Sequence, residues 1–359
     1  MQKQTAEVAP TIAISDKYMP TNGKRIFCPF CQCKIAIQDL PYRCVCGKET
    51  RARKIEEMIC EDCGEILAIK VCPCCKKHIP RPLYEFTNLC TTITLIGNSG
   101  SGKTTFLRQL IPLLRDNIGC IPIHETNELI NNDYICLDQY HACLEPTPIN
   151  SLIPLFFKVP RGTRKESGYM TIFDIAGEHI QNITRCTPSN AMLNSENIIF
   201  LIDADYFTVT SPTTNPVLQF INFINHMHPR SRKGVFQKSW LEKIHVATVI
   251  TKLDKYKSDF EYSSLLYYPK MSYSKRTINY AEIQERSNDI RQWLRNTSSQ
   301  GRGFINNLEG HFRGNYELFG VFPLGFNPTV DDSRRVCNIG EPVGVVEPIL
   351  WLLEQNGMR

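Results

Sequence analysis

Residues 97–104 read GNSGSGKT, the pattern G-x-x-x-x-G-K-[ST]. No other feature narrows the fold as much, because such a run works only between a buried strand and the first turn of a helix. The glycines let successive backbone N–H groups turn inward around phosphate oxygens. Gly97, Asn98, Ser99, Gly100, Ser101, Gly102, Lys103, Thr104 and Thr105 are therefore candidate nucleotide-binding residues. Lys103 has the reach to meet β- and γ-phosphates, and the Thr104 hydroxyl suits Mg²⁺. Both flanks comply. Residues 92–96 (TITLI) form a β-branched run suited to a buried strand, and Phe106, Leu107, Leu110, Leu113 and Leu114 recur at helical spacing. Pro112 should end or kink that helix at or one turn before its position.

Two more motifs follow in order. Residues 171–177 (TIFDIAG) are an apolar strand ending in D-x-x-G. Asp174 there can hold the Mg²⁺ shell, and the Gly177 N–H can reach a γ-phosphate. Residues 244–250 form another apolar strand, which runs into Thr251, Lys252, Leu253 and Asp254. A carboxylate at Asp254 can accept two hydrogen bonds from the N1–H and 2-amino group of guanine, donors that adenine lacks. Further strands are expected at 155–159, 169–173, 197–202 and 318–322, and a helical pattern runs over 280–294. This alternation predicts an α/β domain with a mostly parallel sheet, helices on both faces and ligand at the carboxyl ends of the strands.

With GNSGSGKT (97–104), DIAG (174–177) and TKLD (251–254), the chain resembles the P-loop GTPases of the translation-factor-related class over residues 90–359. The resemblance implies a small-GTPase-like fold, GTP and GDP as ligands, Mg²⁺, and GTP hydrolysis coupled to a molecular switch. It also implies a guanine-capping loop at Phe322, Pro323, Leu324 and Gly325. That loop departs from the family's usual Ser-Ala-Lys, so Leu324 is a nucleotide contact by position alone. Residues 346–353 (VEPILWLL), with Cys-rich ribbons in front, further resemble the bacterial double-GTPase proteins, inferred to act in signalling or conflict systems. The same tail reads equally as an amphipathic helix with Pro in its first turn. The candidate catalytic residues are Lys103, Thr147 as switch threonine (with Thr163 as the weaker choice), Gly177, Glu178 and His179. Many small GTPases carry Gln directly after the Gly of this motif, whereas Glu178 stands here. A Glu beside a γ-phosphate meets charge repulsion, and His179 can orient water only if it swings inward. Arg161, Arg164 and Arg185 are candidate arginine fingers. Slow intrinsic hydrolysis, stimulated by a partner or by dimerisation, is the expectation. The alternatives are a non-hydrolysing scaffold, or an NTPase acting on nucleic acid through the ribbons.

Ten of the sixteen cysteines lie before residue 80. Eight of them form four knuckles: Cys28 and Cys31, Cys44 and Cys46, Cys60 and Cys63, Cys72 and Cys75. Clustering at this spacing is a metal signature of reducing compartments, not a disulfide framework. Two Zn²⁺ ions are expected. Sequential pairing puts Cys28, Cys31, Cys44 and Cys46 on one ion and Cys60, Cys63, Cys72 and Cys75 on the other. A cross-braced pairing also satisfies the count, but the thirteen residues between Cys46 and Cys60 exceed the usual RING spacing and favour tandem ribbons. Cys33 and Cys74 are left over or swap in as ligands, while His78 could replace a thiolate but follows its knuckle too closely and reads as a surface residue.

The expected organisation is a flexible segment at 1–23, tandem ribbons at 24–82 and a GTPase-like domain at 83–359 with a helical insertion around 255–315. Tyr262, Tyr267, Tyr268, Tyr273 and Tyr280 make that insertion a candidate partner surface. Residues 1–90 hold 14 Lys and Arg against 10 Asp and Glu. Two zinc tetrathiolates, each adding about two negative charges, would make this segment neutral. A nucleic-acid grip needs a larger positive excess, so protein docking is the expected role, with another GTPase-like protein or a homodimer as partner. No apolar run approaches the length of a membrane span and no signal-like segment opens the chain, so a cytoplasmic protein is expected.

Overall fold

The computed structural model describes residues 25–31, 33–51, 58–67, 69–86, 89–97, 100–123, 152–161, 167–175, 195–208, 218, 243–261, 264–266, 273–274, 277–325, 329–330, 336–337 and 340–358. Two units, Met1–Asn88 and Leu89–Arg359, are taken in turn.

In the second unit, long Ile-, Val- and Phe-rich runs form seven hydrogen-bonded strands. We number strands along the whole chain, reserving β1–β5 for the first unit. The sheet comprises β6 (Cys90–Gly97), β7 (Ile121–Pro122), β8 (Leu152–Val159), β9 (Gly168–Ile175), β10 (Asn197–Asp203), β11 (His245–Thr251) and β14 (Tyr316–Val321). Two short hairpins, β12 (Tyr273–Ser274) with β13 (Thr277–Ile278) and β15 (Thr329–Val330) with β16 (Val336–Cys337), complete the set. The order across the sheet is β14-β11-β10-β6-β9-β8-β7. The five strands from β14 to β9 run parallel, and β8 and β7 add an antiparallel edge.

Alternate side chains of each parallel strand enter opposite cores, as a sheet covered on both faces requires. Ile199 and Leu201 face the core holding the helices Lys103–Leu113 and Glu347–Gln355. Ile198, Phe200 and Ile202 face the core that takes Ile290, Trp293 and Leu294 of helix Tyr280–Thr297 and Phe304 and Leu308 of helix Ser299–Phe312. The second unit is thus an α/β fold with a mostly parallel sheet covered on both faces, the strand order turning outward on both sides of β6.

Two local expectations are corrected. Pro112 does not stop its helix; the α-helix runs on to Leu113 and then widens into a π-helical turn, Leu114–Ile118. Pro lacks the N–H for an i→i−4 bond, and a change of hydrogen-bond register just downstream accommodates the loss. Gly119, at φ 74°, ends the turn. The helix Glu347–Gln355 is not amphipathic: every residue from 347 to 353 is buried.

The first unit is small. β1 (Arg25–Phe27) pairs with β2 (Lys34–Ala36), while β3 (Tyr42–Arg43) pairs antiparallel with both β4 (Glu49–Thr50) and β5 (Ile69–Lys70). Its apolar core includes Tyr84 of the short helix Arg81–Glu85, so the packed unit extends past residue 82.

Glu347 enters the larger unit's core as a charge. Arg286 Nη2 donates to its Oε2 at 2.8 Å, with side chains only 5% and 2% exposed. Deleting one partner of such a pair strands the other charge in a low-dielectric interior. Glu347→Gln is expected to lower the unfolding free energy by about 3–5 kcal/mol in urea titrations, and Arg286→Met with Glu347→Leu should restore most of it. A single-variant loss below about 1 kcal/mol contradicts the buried-charge account.

Candidate functional site

β6 ends at Gly97, and helix Lys103–Leu113 begins six residues later. A Cβ on Gly97 would lie 2.6 Å from Ser101 Oγ and 2.7 Å from the Leu201 carbonyl oxygen, so only glycine lets the loop fold back this closely. Gly100 and Gly102 take φ of 78° and 83°, in the left-handed region. Lys103 is buried, and its Nζ donates to the carbonyls of Ile175 (2.6 Å) and Gly97 (3.2 Å). This ammonium therefore sits where the carboxyl ends of β6 and β9 meet. Asp174, one residue before Ile175 on β9, is 1% exposed and paired in register with Leu95. Thr104 and Thr105 lie in the first turn of the helix, half-buried. Asn98 and Ser99 lie outside the described residues, as do Thr147, Thr163, Arg164, Gly177, Glu178, His179 and Arg185.

The third motif is bonded directly to the first. Thr251 Oγ1 donates to the Ser101 carbonyl at 2.9 Å and to the Ile202 carbonyl at 3.3 Å. Lys252 Nζ donates to the Gly100 carbonyl at 3.2 Å. The Ser101 hydroxyl oxygen is buried with no hydrogen-bond partner among the described residues. Asp254 lies in the first turn of the 3₁₀ segment Leu253–Asp259, and burial pushes its carboxyl above the usual pKa. Leu324 lies in the turn after β14, the strand next to β11, with Thr251 in register with Val321. Its carbonyl accepts from Gly340 N at 2.9 Å, and Phe322 and Val343 exchange backbone hydrogen bonds at 2.9 and 3.1 Å. Gly325, at φ 71°, has the Gly340 Cα 2.6 Å from where a Cβ would stand. Residues 97, 100–103, 174, 251–254 and 324 thus collect at the carboxyl ends of the parallel strands. Arg161 is elsewhere: its Nη2 donates to the Gly357 carbonyl at 3.2 Å.

Sequence reasoning missed Asp203, the last residue of β10, and Asp205 just beyond it. Asp203 forms an ion pair with Lys252, and Asp205 binds Lys255 at 2.5 Å and the Tyr256 hydroxyl at 2.8 Å. Their signal was position alone, an acid closing an apolar run beside the loop strand. A cavity of about 450 Å³, lined by Arg291, Glu309, Arg313 and Tyr316 among others, lies at the opposite, amino-terminal end of β14. It is remote from these motifs.

In the first unit the eight knuckle thiols form two quartets, each with its sulfurs within 4.8 Å of one another. The pairing is nested, neither sequential nor cross-braced. Cys28, Cys31, Cys72 and Cys75 form the outer quartet, and Cys44, Cys46, Cys60 and Cys63 the inner one. The cause is sheet pairing: β5 lies antiparallel on β3 and returns the fourth knuckle to the first, leaving the middle two to face each other. Sulfur separations of 3.7 Å (Cys28 to Cys75), 3.5 Å (Cys31 to Cys72), 3.2 Å (Cys44 to Cys63) and 3.6 Å (Cys46 to Cys60) approach the edge of a ZnS₄ tetrahedron. Backbone N–H groups of Asp62 and Cys63 bring the Cys60 thiol down to about 7. The donor set fits Zn²⁺ in both places. Cys33 belongs to neither quartet; a hydrogen bond with the Cys74 thiol pushes it up to about 12. Neither quartet includes His78.

No protein-family model matches the chain, and no curated protein matches it. Among solved structures, the chain is similar to Roco2 RocCORdC of Methanosarcina barkeri bound to GDP, at 12% identity over 75% of this chain and 49% of that one, with a TM-score of 0.32. It is also similar to the GTPase-like domain of S. cerevisiae Ski7 bound to GTP, at 12% identity over 76% and 52%, with a TM-score of 0.34. The chain spans about half the length of each.

Metal counting after double substitution tests the nested pairing. Cys28→Ser with Cys72→Ser is expected to cost one zinc ion per chain, and Cys28→Ser with Cys44→Ser to cost both. The reverse pattern would restore sequential pairing.

Proposed function

We propose that the chain binds GTP and GDP with Mg²⁺ at the carboxyl edge of its large sheet and turns GTP over slowly as a molecular switch. Two Zn²⁺ ions hold the first unit, which serves to dock protein partners. The observation that carries the nucleotide reading is the direct hydrogen bonding of Thr251 and Lys252 to the carbonyls of Ser101 and Gly100. A phosphate loop and a guanine-type acid so joined can grip the two ends of one nucleotide.

In this reading each residue has one task. The N–H groups of 97–105 take phosphate oxygens, and the Lys103 ammonium, already at the strand ends, neutralises charge that grows on the γ-phosphate. Thr104 and Asp174 offer a hydroxyl and a carboxylate, the hard oxygen donors that Mg²⁺ prefers, and these would hold it. The ion supplies charge neutralisation when bound. Asp254 selects guanine. Its part-buried carboxylate leaves an unmet acceptor when adenine is present, which penalises the wrong base. Leu324 covers the base side from the neighbouring strand. Gly177 would report the γ-phosphate, Thr147 would order with it, and His179 rather than Glu178 would orient water; Glu178 repels the anion.

Calorimetric titration with Mg²⁺ present checks the base assignment. GTP should bind at least roughly tenfold more tightly than ATP, and Asp254→Asn should erase that preference; equal binding by the unaltered chain sinks the guanine reading. Because burial raises the Asp254 carboxyl, protonation removes its acceptor role at a higher pH than for an ordinary Asp. The preference should therefore fall on acidification before the usual carboxylate range is reached. Lys103→Ala should abolish phosphate release.

A further inference from the structure

We infer that Asp203 is a positioning residue for guanine selectivity: its carboxylate holds the Lys252 ammonium against the phosphate loop and so fixes the turn that carries Asp254. This rests on the guanine reading above.

Asp203 is the last residue of β10, which lies between β6 and β11, and it is in register with Thr251. Its two carboxylate oxygens are used differently. Oδ1 accepts from the Asp205 N–H at 2.9 Å, which orients the side chain. Oδ2 takes the Lys252 ammonium. Lys252 has φ 58°, the left-handed region, which a side chain with a Cβ enters at a steric cost. That conformation turns the chain out of β11 into the 3₁₀ segment and aims Asp254. A strained turn persists only when its surroundings over-determine it.

Two tiers of contacts do so. The outer tier is Asp205, which takes Lys255 Nζ at 2.5 Å and Tyr256 OH at 2.8 Å. The Tyr256 ring packs 5.5 Å from that of Trp293, so this tier anchors the far side of the turn to helix Tyr280–Thr297. The inner tier is Asp203 with Lys252, and it alone of the two reaches the phosphate loop, through the Lys252 bond to the Gly100 carbonyl. The lysine would otherwise present a part-buried charge to a neutral carbonyl. With Asp203 as counter-ion, the charge is met and its direction set. Base recognition at Asp254 and phosphate binding at 97–104 then share one rigid connection. Removing the Asp203 charge should loosen the base side while leaving the phosphate cradle in place.

Asp203→Asn keeps an acceptor for the Asp205 N–H and removes the charge. The zinc-loaded full chain, Asp203→Asn, Lys252→Met and the double variant are titrated with GTP, ATP and inorganic tripolyphosphate in Mg²⁺. Asp203→Asn should lower the GTP-to-ATP affinity ratio roughly tenfold. ATP and tripolyphosphate should stay within about twofold, and in the Lys252→Met background the same change should add nothing. Three results overturn the proposal: an unchanged ratio, an equal loss for all three ligands, or additive effects in the double variant. An unaltered chain that binds GTP and ATP alike overturns the guanine reading and this inference with it. A preserved wild-type preference with an indifferent Asp203→Asn overturns this inference alone.

Discussion

A buried ammonium organises this molecule. Lys103 is 8% exposed, and a lysine that deep must have acceptors aimed at it. The fold provides them by ending β6 and β9 side by side, so that the carbonyls of Gly97 and Ile175 face one Nζ. This fixes which strand must neighbour β6, where the loop turns and where Asp174 comes to lie. It also explains why Gly97 tolerates no side chain: the loop must double back across the end of β10 to bring Lys103 inward. The remaining strands extend this arrangement outward, with β11 and β14 on one side carrying the TKLD turn and the loop at Leu324.

Much of this was legible in the sequence. β6, β9, β10, β11 and β14 are apolar runs of five or more residues bounded by polar or glycine-containing segments, and burial on both faces makes such runs conspicuous. Phosphate-loop glycines announce their own backbone geometry. Less legible was the antiparallel edge, because β8 resembles a parallel strand in composition and β7 is two residues long. Helix Ser299–Phe312 was hidden by Gly301, Gly303 and Gly310. At Gly301 the glycine is obligatory, since a Cβ would stand 2.0 Å from the Leu294 carbonyl oxygen. Helix propensity reads that residue as a breaker, whereas close packing reads it as a fit. Asp203 and Asp205 drew no notice in the sequence, because pairing across β10 and β11 cannot be read from local pattern.

The cysteine-rich unit shows the limit more sharply. Knuckle spacing identifies thiol ligands well and says nothing about which knuckles meet. That is set by two-residue strands, too short for any periodic signal, which fold β5 back beside β3. Around this frame the apolar core is small, and it includes Lys70, whose Nζ lies 4.8 Å from the Tyr42 ring centroid and 4.9 Å from that of Tyr84. Burial brings that ammonium down to about 8. A core that accommodates a lysine between two tyrosines contributes little apolar burial. Metal coordination would therefore supply much of the folding energy of this unit.

The central claim is that three separate strand-end segments close on one guanine nucleotide. Hydrogen–deuterium exchange on the full chain with Mg²⁺, with and without GDP, tests it most directly. The account predicts simultaneous protection at residues 97–105, 251–255 and 322–325 with GDP, and protection confined to 97–105 with ADP at the same concentration. Protection that never extends beyond the phosphate loop with GDP, or that is equal at all three segments with ADP, would contradict it.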